Sequence, residues 1–111
     1  MDTLSTFRDI IEQVLQPFAD IRYAYGDIKN EVVLNRVRDR YLVISQGWDG
    51  KKRVHSPLLH IDIIGEKVWI QWDGTEEGIA PQLMAAGIPK DKIVLGFYAP
   101  EVRPFTDFAV A

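Results

Sequence analysis

LLHIDIIGEKVWIQWD, residues 58–73, reads as two β-strands joined at Gly65-Glu66. Side chains alternate across a strand, so Leu59, Ile61 and Ile63 share one face, and His60 and Asp62 share the other. In the second half, Val68, Ile70 and Trp72 fall on one face, and Trp69, Gln71 and Asp73 on the other. Two all-apolar faces side by side are the natural floor of a core. The opposite face is mixed, with His60, Asp62, Trp69 and Gln71, joined by Tyr41 and Val43 from the preceding strand.

Working toward the N-terminus, the third strand extends back over 51–64, and Pro57 inside it calls for an edge position or a bulge. Asp49-Gly50 is a turn dipeptide for the hairpin before it. Glu31–Arg38 and Arg40–Gly47 are β-rich runs separated by Asp39, a further tight hairpin. Residues 19–30, with Gly26, Asp27 and Asn30 as turn formers and Tyr23 and Tyr25 among them, read as a connection. Residues 3–18 carry Leu4, Phe7, Ile11, Val14, Leu15 and Phe18 at helical spacing, capped by Asp2 or Thr3 and ended or kinked at Pro17.

Toward the C-terminus, Asp73-Gly74-Thr75 leads into a second helix. Its start is placed near Gly78 or Ile79, so that Pro81 sits in the first turn. Gly87-Ile88-Pro89 predicts a left-handed cap, an apolar contact back onto the helix, and a stop. Ile93–Tyr98 is a fifth strand, and Ala99–Ala111 a tail with Pro100 and Pro104. The expected fold is α+β in one domain, 1–111: N-terminal helix, four-stranded antiparallel meander, second helix, fifth strand and tail.

Composition narrows the chemistry. The chain has 111 residues, no cysteine and two histidines, which excludes disulfides, thiolate chemistry and a histidine-rich metal cage. The net charge of −3 lacks the basic excess of a protein that grips DNA with its whole surface. No apolar run approaches the roughly 20 residues that span a bilayer. Met1–Phe7 carries Asp2 and no basic stretch followed by an apolar block, so no signal peptide is expected, and the expected compartment is the cytoplasm.

Three constellations invite chemical readings. His60-x-Asp62 on one strand face could orient a general base, although backbone positions two apart are roughly 6–7 Å from each other and no nucleophile is placed beside them. Asp62, Asp73, Glu76 and Glu77 could take a divalent ion, the basis of a metal-dependent nuclease or phosphodiesterase reading that uses Asp62 and Asp73. For Asp73, Glu76 and Glu77, capping the following helix is the simpler account. Lys51, Lys52 and Arg53, with Trp48 beside them and Arg36, Arg38 and Arg40 nearby, could meet nucleic acid directly, or simply guard a strand edge.

Several runs taken together carry a family likeness: Gly47-Trp48-Asp49 before a basic turn, His60-Ile61-Asp62-Ile63, Asp73-Gly74-Thr75-Glu76, Gly87-Ile88-Pro89 with Ile93-Val94-Leu95-Gly96-Phe97, Pro100-Glu101-Val102-Arg103 and the closing Phe108-Ala109-Val110-Ala111. In this order and spacing, across nearly the whole chain, the sequence resembles the XisI family, excision controlling factors of a DNA element in heterocyst-forming cyanobacteria. It departs from the family pattern at Ser56-Pro57, where a small residue and often cysteine stand, and at Ala99-Pro100, where Pro-Pro is common. The resemblance implies an accessory role in programmed DNA excision and recombination without catalysis or cofactor. It also implies a nuclease-like companion, XisH, through which DNA would be reached. It carries over no catalytic residue. The sheet face left bare by two one-sided helices is the expected contact with that partner or with a second copy, through Tyr41, His60, Asp62, Trp69 and Gln71, the alternative being cover by the C-terminal tail.

Overall fold

The computed structural model describes residues 2–24 and 26–111, so Tyr25 in the predicted connection lies outside the described residues. Helix α1 spans Thr3–Leu15, with the Asp2 carboxylate accepting from the Leu4 N–H at 3.2 Å. Pro17 ends the α-helix as expected, and the chain tightens into a 3-10 turn over Gln16–Asp20. The strands are β1 (Asp27–Asn35), β2 (Arg40–Asp49), β3 (Lys52–Ile64), β4 (Lys67–Asp73) and β5 (Ile93–Leu95), with α2 (Ala80–Ala85) between the last two. They form one sheet in the order β1-β2-β3-β4-β5, antiparallel through β4, with β5 added parallel to β4.

Both helices lie on one face. Phe7, Ile10, Ile11 and Leu15 of α1 and Leu83 of α2 are buried against Tyr41, Val43, Leu59, Ile61, Val68, Ile70 and Ile93. Each such aliphatic side chain contributes about 1.5–3 kcal/mol on leaving water, which is what holds a short α2 with weak intrinsic helicity in place. The end of α2 closes as the Gly87-Ile88 pair foretold. Gly87 has φ 121° and donates to Met84 O at 3.0 Å, while Ile88 N–H reaches Leu83 O at 3.0 Å and its side chain is buried.

The structure moves some predicted boundaries. Strand β1 begins at Asp27, so Asp27 and Asn30 are strand residues and not turn formers. Asn30 is buried and bonded through both polar side-chain atoms: it accepts from the Tyr23 and Ser45 hydroxyls and donates to Phe18 O. That bonding ties the 3-10 turn to the sheet, which turn propensity cannot foresee. The first hairpin turns over residues 36–39 with Asp39 at φ 53°. Strand β5 stops at Leu95, three residues short of the expected Tyr98.

Two bulges set the faces. The β2–β3 register shifts so that Val43 opposes Leu59 but Ile44 opposes Pro57, leaving Leu58 as the extra residue. Pro57 is further accommodated because β4 pairs only with Leu59–Ile64, which leaves that side of β3 an edge. In the β3–β4 ladder, Ile61 opposes Ile70 but His60 opposes Trp72, so Gln71 is extra. This second bulge turns Trp72 and Asp73 over relative to strict alternation.

Candidate functional site

The face away from the helices is built from cross-strand rows. Val33, Leu42, His60 and Trp72 form one row, and Arg40, Asp62 and Trp69 the next. Ile44 and Ile64 share the face by alternation along their strands. At its centre His60 Nε2 lies 2.8 Å from Asp62 Oδ1, and Gln71 Nε2 donates to Asp62 Oδ2 at 3.3 Å. The side chains of His60 and Asp62 keep 32% and 15% of their exposure, so the pair is half sheltered on a largely apolar surface. Both oxygens of Asp62 are engaged, which fixes the imidazole in place. No serine or threonine hydroxyl is bonded to His60 among the described residues. The arrangement is a rigid polar anchor within an apolar field, with Val33, Ile64 and Trp72 exposed at 37%, 49% and 52% around it.

One corner of this face is roofed by the chain itself. Arg103 lies 5.0 Å from the ring centroid of Trp69 and is held there by bonds to Tyr98 O and Gly96 O. Beside it Ala109 bridges Val94 in parallel, its N–H donating to Ile93 O at 2.9 Å, and Lys67 Nζ reaches Ala111 O. Val94 is fully buried under this cover. The tail therefore covers the β4–β5 corner and leaves the β1–β3 expanse bare.

Of the residues expected on this face, His60, Asp62 and Gln71 are brought together. Trp69 belongs to the face but is covered by Arg103. Tyr41 does not belong to it, and neither does Val43. Tyr41 pairs with Ile61 and is fully buried in the helix-side core, its hydroxyl donating to Asp39 Oδ1 at 3.2 Å. Burial and the Asp39 charge push that hydroxyl up to about 12. The reason for the misplacement is register: alternation orders residues within a strand, and only the pairing says which set faces the helices.

Asp62 and Asp73 do not converge. The Gln71 bulge sends Asp73 to the helix side, where Oδ1 accepts from the Thr75 N–H at 2.9 Å and Oδ2 from the Ile79 N–H at 2.7 Å. The carboxylate orders the entry to α2. Glu76 and Glu77 rim a shallow helix-side groove floored by Phe18, Ile21 and Leu58. Among the described residues no group of three or more His, Asp or Glu side chains is arranged to hold a metal ion. Arg36 is committed to Asp9 and Glu12 at 3.0 and 3.1 Å, while Lys51, Lys52 and Arg53 are exposed at the β2–β3 hairpin end.

Exposed Trp72, Val33 and Ile64, and half-buried Leu42, belong to the outer field although alternation alone does not mark them. A signal for Trp72 existed. Serving the second helix and facing away from it are conflicting placements for Asp73, and a bulge that turns Asp73 to the helix side, and Trp72 outward with it, resolves the conflict.

The XisI protein family model matches residues 1–110. The chain belongs to the XisI family. Its fold is similar to that of the fdxN element excision controlling factor XisI from Anabaena variabilis ATCC 29413, with a TM-score of 0.85, 35% identity, and 99% of this chain and 100% of that one covered. It is also similar to a XisI-like protein from the same organism, with a TM-score of 0.89, 30% identity, and coverage of 97% and 99%. Among curated proteins none matches. The XisI fold thus spans the chain end to end. Among the described residues, no helix is long and apolar enough to cross a membrane.

Proposed function

We propose that this XisI-family chain is a non-enzymatic controlling factor in the excision of a DNA element. It acts by docking the bare part of its outer sheet face on a nuclease-fold, XisH-like partner, or on a second copy of itself, in the cytoplasm. The observation that carries this reading is the coexistence, on one face, of exposed Val33, Ile64 and Trp72 with the prearranged His60–Asp62–Gln71 cluster. An aromatic and aliphatic field around a few fixed polar groups is the composition of a protein interface core. The full-length likeness to an excision controlling factor supplies the process. The nuclease reading lacks comparable support, because the carboxylates of Asp62 and Asp73 point to opposite faces and each is already bonded within the chain.

The test is co-expression of the chain with an XisH-like protein, followed by mass measurement of what co-purifies. A stable complex, or a homo-oligomer, is expected for the wild type and should be lost in Trp72→Glu while the circular dichroism spectrum and melting temperature are kept. A wild-type chain that stays monomeric and ignores the partner would refute the reading. So would a Trp72→Glu variant that assembles normally.

A further inference from the structure

The end of the sheet at the β2–β3 hairpin gathers groups that the docking face does not use. Trp48 and Arg53 are direct cross-strand neighbours, and the Arg53 guanidinium lies 5.2 Å from the indole centroid. Its Nη1 also donates to Gly47 O at 3.3 Å, so the cation is fixed over the ring. Trp48 nonetheless remains 49% exposed and stands outside the core cluster. The turn next to it presents Lys51 and Lys52, and Lys29 on β1 lies opposite Gln46, two residues before Trp48. Asp27, Lys29, Gln46, Gly47, Trp48 and Arg53 line an open groove of about 380 Å³.

Charge separates this end from the rest of the molecule. Arg8 and Arg36, near the opposite hairpin, are neutralised by Asp39, Asp9 and Glu12. Lys29, Lys51, Lys52 and Arg53 make no ion pair among the described residues. A chain of net charge −3 thus gathers four cations free of ion pairs around one half-exposed indole, and they outnumber the two carboxylates beside them, Asp27 and Asp49. The backbone holds this in place: Gly47 has φ 151°, and a side chain there would run into the Asp27 carbonyl, so β1 closes tightly on the strand that bears Trp48.

We propose that this hairpin end binds single-stranded nucleic acid, with a base stacked on Trp48 and backbone phosphates held by Lys29, Lys51 and Lys52. Stacking on an exposed aromatic beside cations is how single strands are bound without sequence preference. A duplex hides its base faces inside the stack, so it would meet only the lysines. An acidic peptide would likewise meet the lysines and make little use of the indole. This site lies beyond the docking face, and its test contains the purified chain alone, so either reading can fail without the other.

The experiment is fluorescence anisotropy with labelled oligothymidylate, with duplex DNA of equal length and polyglutamate as competitors. About three neutralised phosphates give a salt slope near −2 for a single strand, so affinity should fall about 20-fold between 50 and 200 mM salt. Trp48→Ala should weaken binding at least about fivefold, with Trp48→Phe restoring most of it, because the ring supplies the stacking. Lys51→Glu with Lys52→Glu should abolish it. All these positions are exposed, and unchanged melting temperatures confirm intact folds. Duplex or polyglutamate competing as well as the unlabelled single strand, or Trp48→Ala binding like the wild type, would overturn the proposal. Absence of binding at the lower salt would do the same.

Discussion

Arg8 on α1 grips Asp39 in the β1–β2 turn with two bonds, Nε to Oδ1 at 2.7 Å and Nη2 to Oδ2 at 3.1 Å. The clasp joins residues 31 apart and docks the helix on the first hairpin. It holds the Asp39 carboxyl below its ordinary value of 3.8, chiefly through the Arg8 hydrogen bonds, which outweigh the opposing effect of burial. A lowered folded-state value means the carboxylate stabilises the fold above the unfolded value and ceases to do so as pH falls through the folded one. Asn tolerates a positive φ, so Asp39→Asn keeps the turn and removes the charge. Its melting temperature should lie below the wild type by a constant amount above about pH 5. That deficit should shrink as pH falls below 3.8. A deficit independent of pH would show that the charge plays no part.

Tyr41 completes the same knot from below, and its hydroxyl titrates in the opposite sense. The unfolded value of 10 is raised to about 12, first by burial and then by the Asp39 charge. Stability from the neutral hydroxyl is therefore full below pH 10 and is lost as pH climbs from 10 toward 12. Tyr41→Phe keeps the buried ring and deletes one hydrogen bond, at a cost of about 0.5–1.5 kcal/mol at neutral pH. In alkaline melts the variant should overtake the wild type. If the two curves stay parallel through pH 11, the hydroxyl is not buried as described.

Asp73 offers a test of loop bracing against catalysis, since it holds the segment leading into α2 and does not cap the helix itself. With both oxygens spent on Thr75 and Ile79 backbone N–H groups, Asp73→Ala should cost about 1.5–3 kcal/mol of stability by freeing the entry to α2. The loss should be the same in magnesium, in manganese and in chelator, as read by thermal melts. A metal-dependent difference between wild type and variant would return Asp73 to the list of ion ligands.

Much of this architecture was legible because local rules and the fold agreed. The Gly87-Ile88-Pro89 stop, the Pro17 break, the Asp49-Gly50 and Gly65-Glu66 turns and the alternation over Leu59–Ile63 each follow from near neighbours in sequence. What failed depends on partners that sequence does not name. The ladder shift at Leu58 is marked by Pro57 beside it, but the shift at Gln71 has no such neighbour, and it decides that Trp72 faces out and Asp73 faces in. Alternation alone leaves the side of Tyr41 open, and only its pairing with Ile61 turns it inward. The roof over Trp69 depends on Arg103, 34 positions away, so a bare face deduced from helix count was bare only in part.

That roof rests on the lack of a side chain at Gly96. A Cβ there would sit 2.8 Å from Gln71 Oε1, 3.0 Å from Trp69 Cε3 and 3.2 Å from Ile70 O. The chain leaving β5 therefore lies directly on the polar cluster's own support, and Arg103 reaches back to Gly96 O to close the corner. Gly96→Ala must push either the tail or the Gln71–Trp69 pair aside, an overpacking cost of about 1–3 kcal/mol. If the tail yields, the Ala109 N–H loses its bond to Ile93 O, and its hydrogen exchange should accelerate ahead of the core strands. Because Gln71 also holds Asp62, the same variant should loosen the His60–Asp62 anchor and weaken partner capture, even though position 96 lies under the tail. Normal exchange at Ala109 with an unchanged melting temperature would mean that the tail is not packed on this corner.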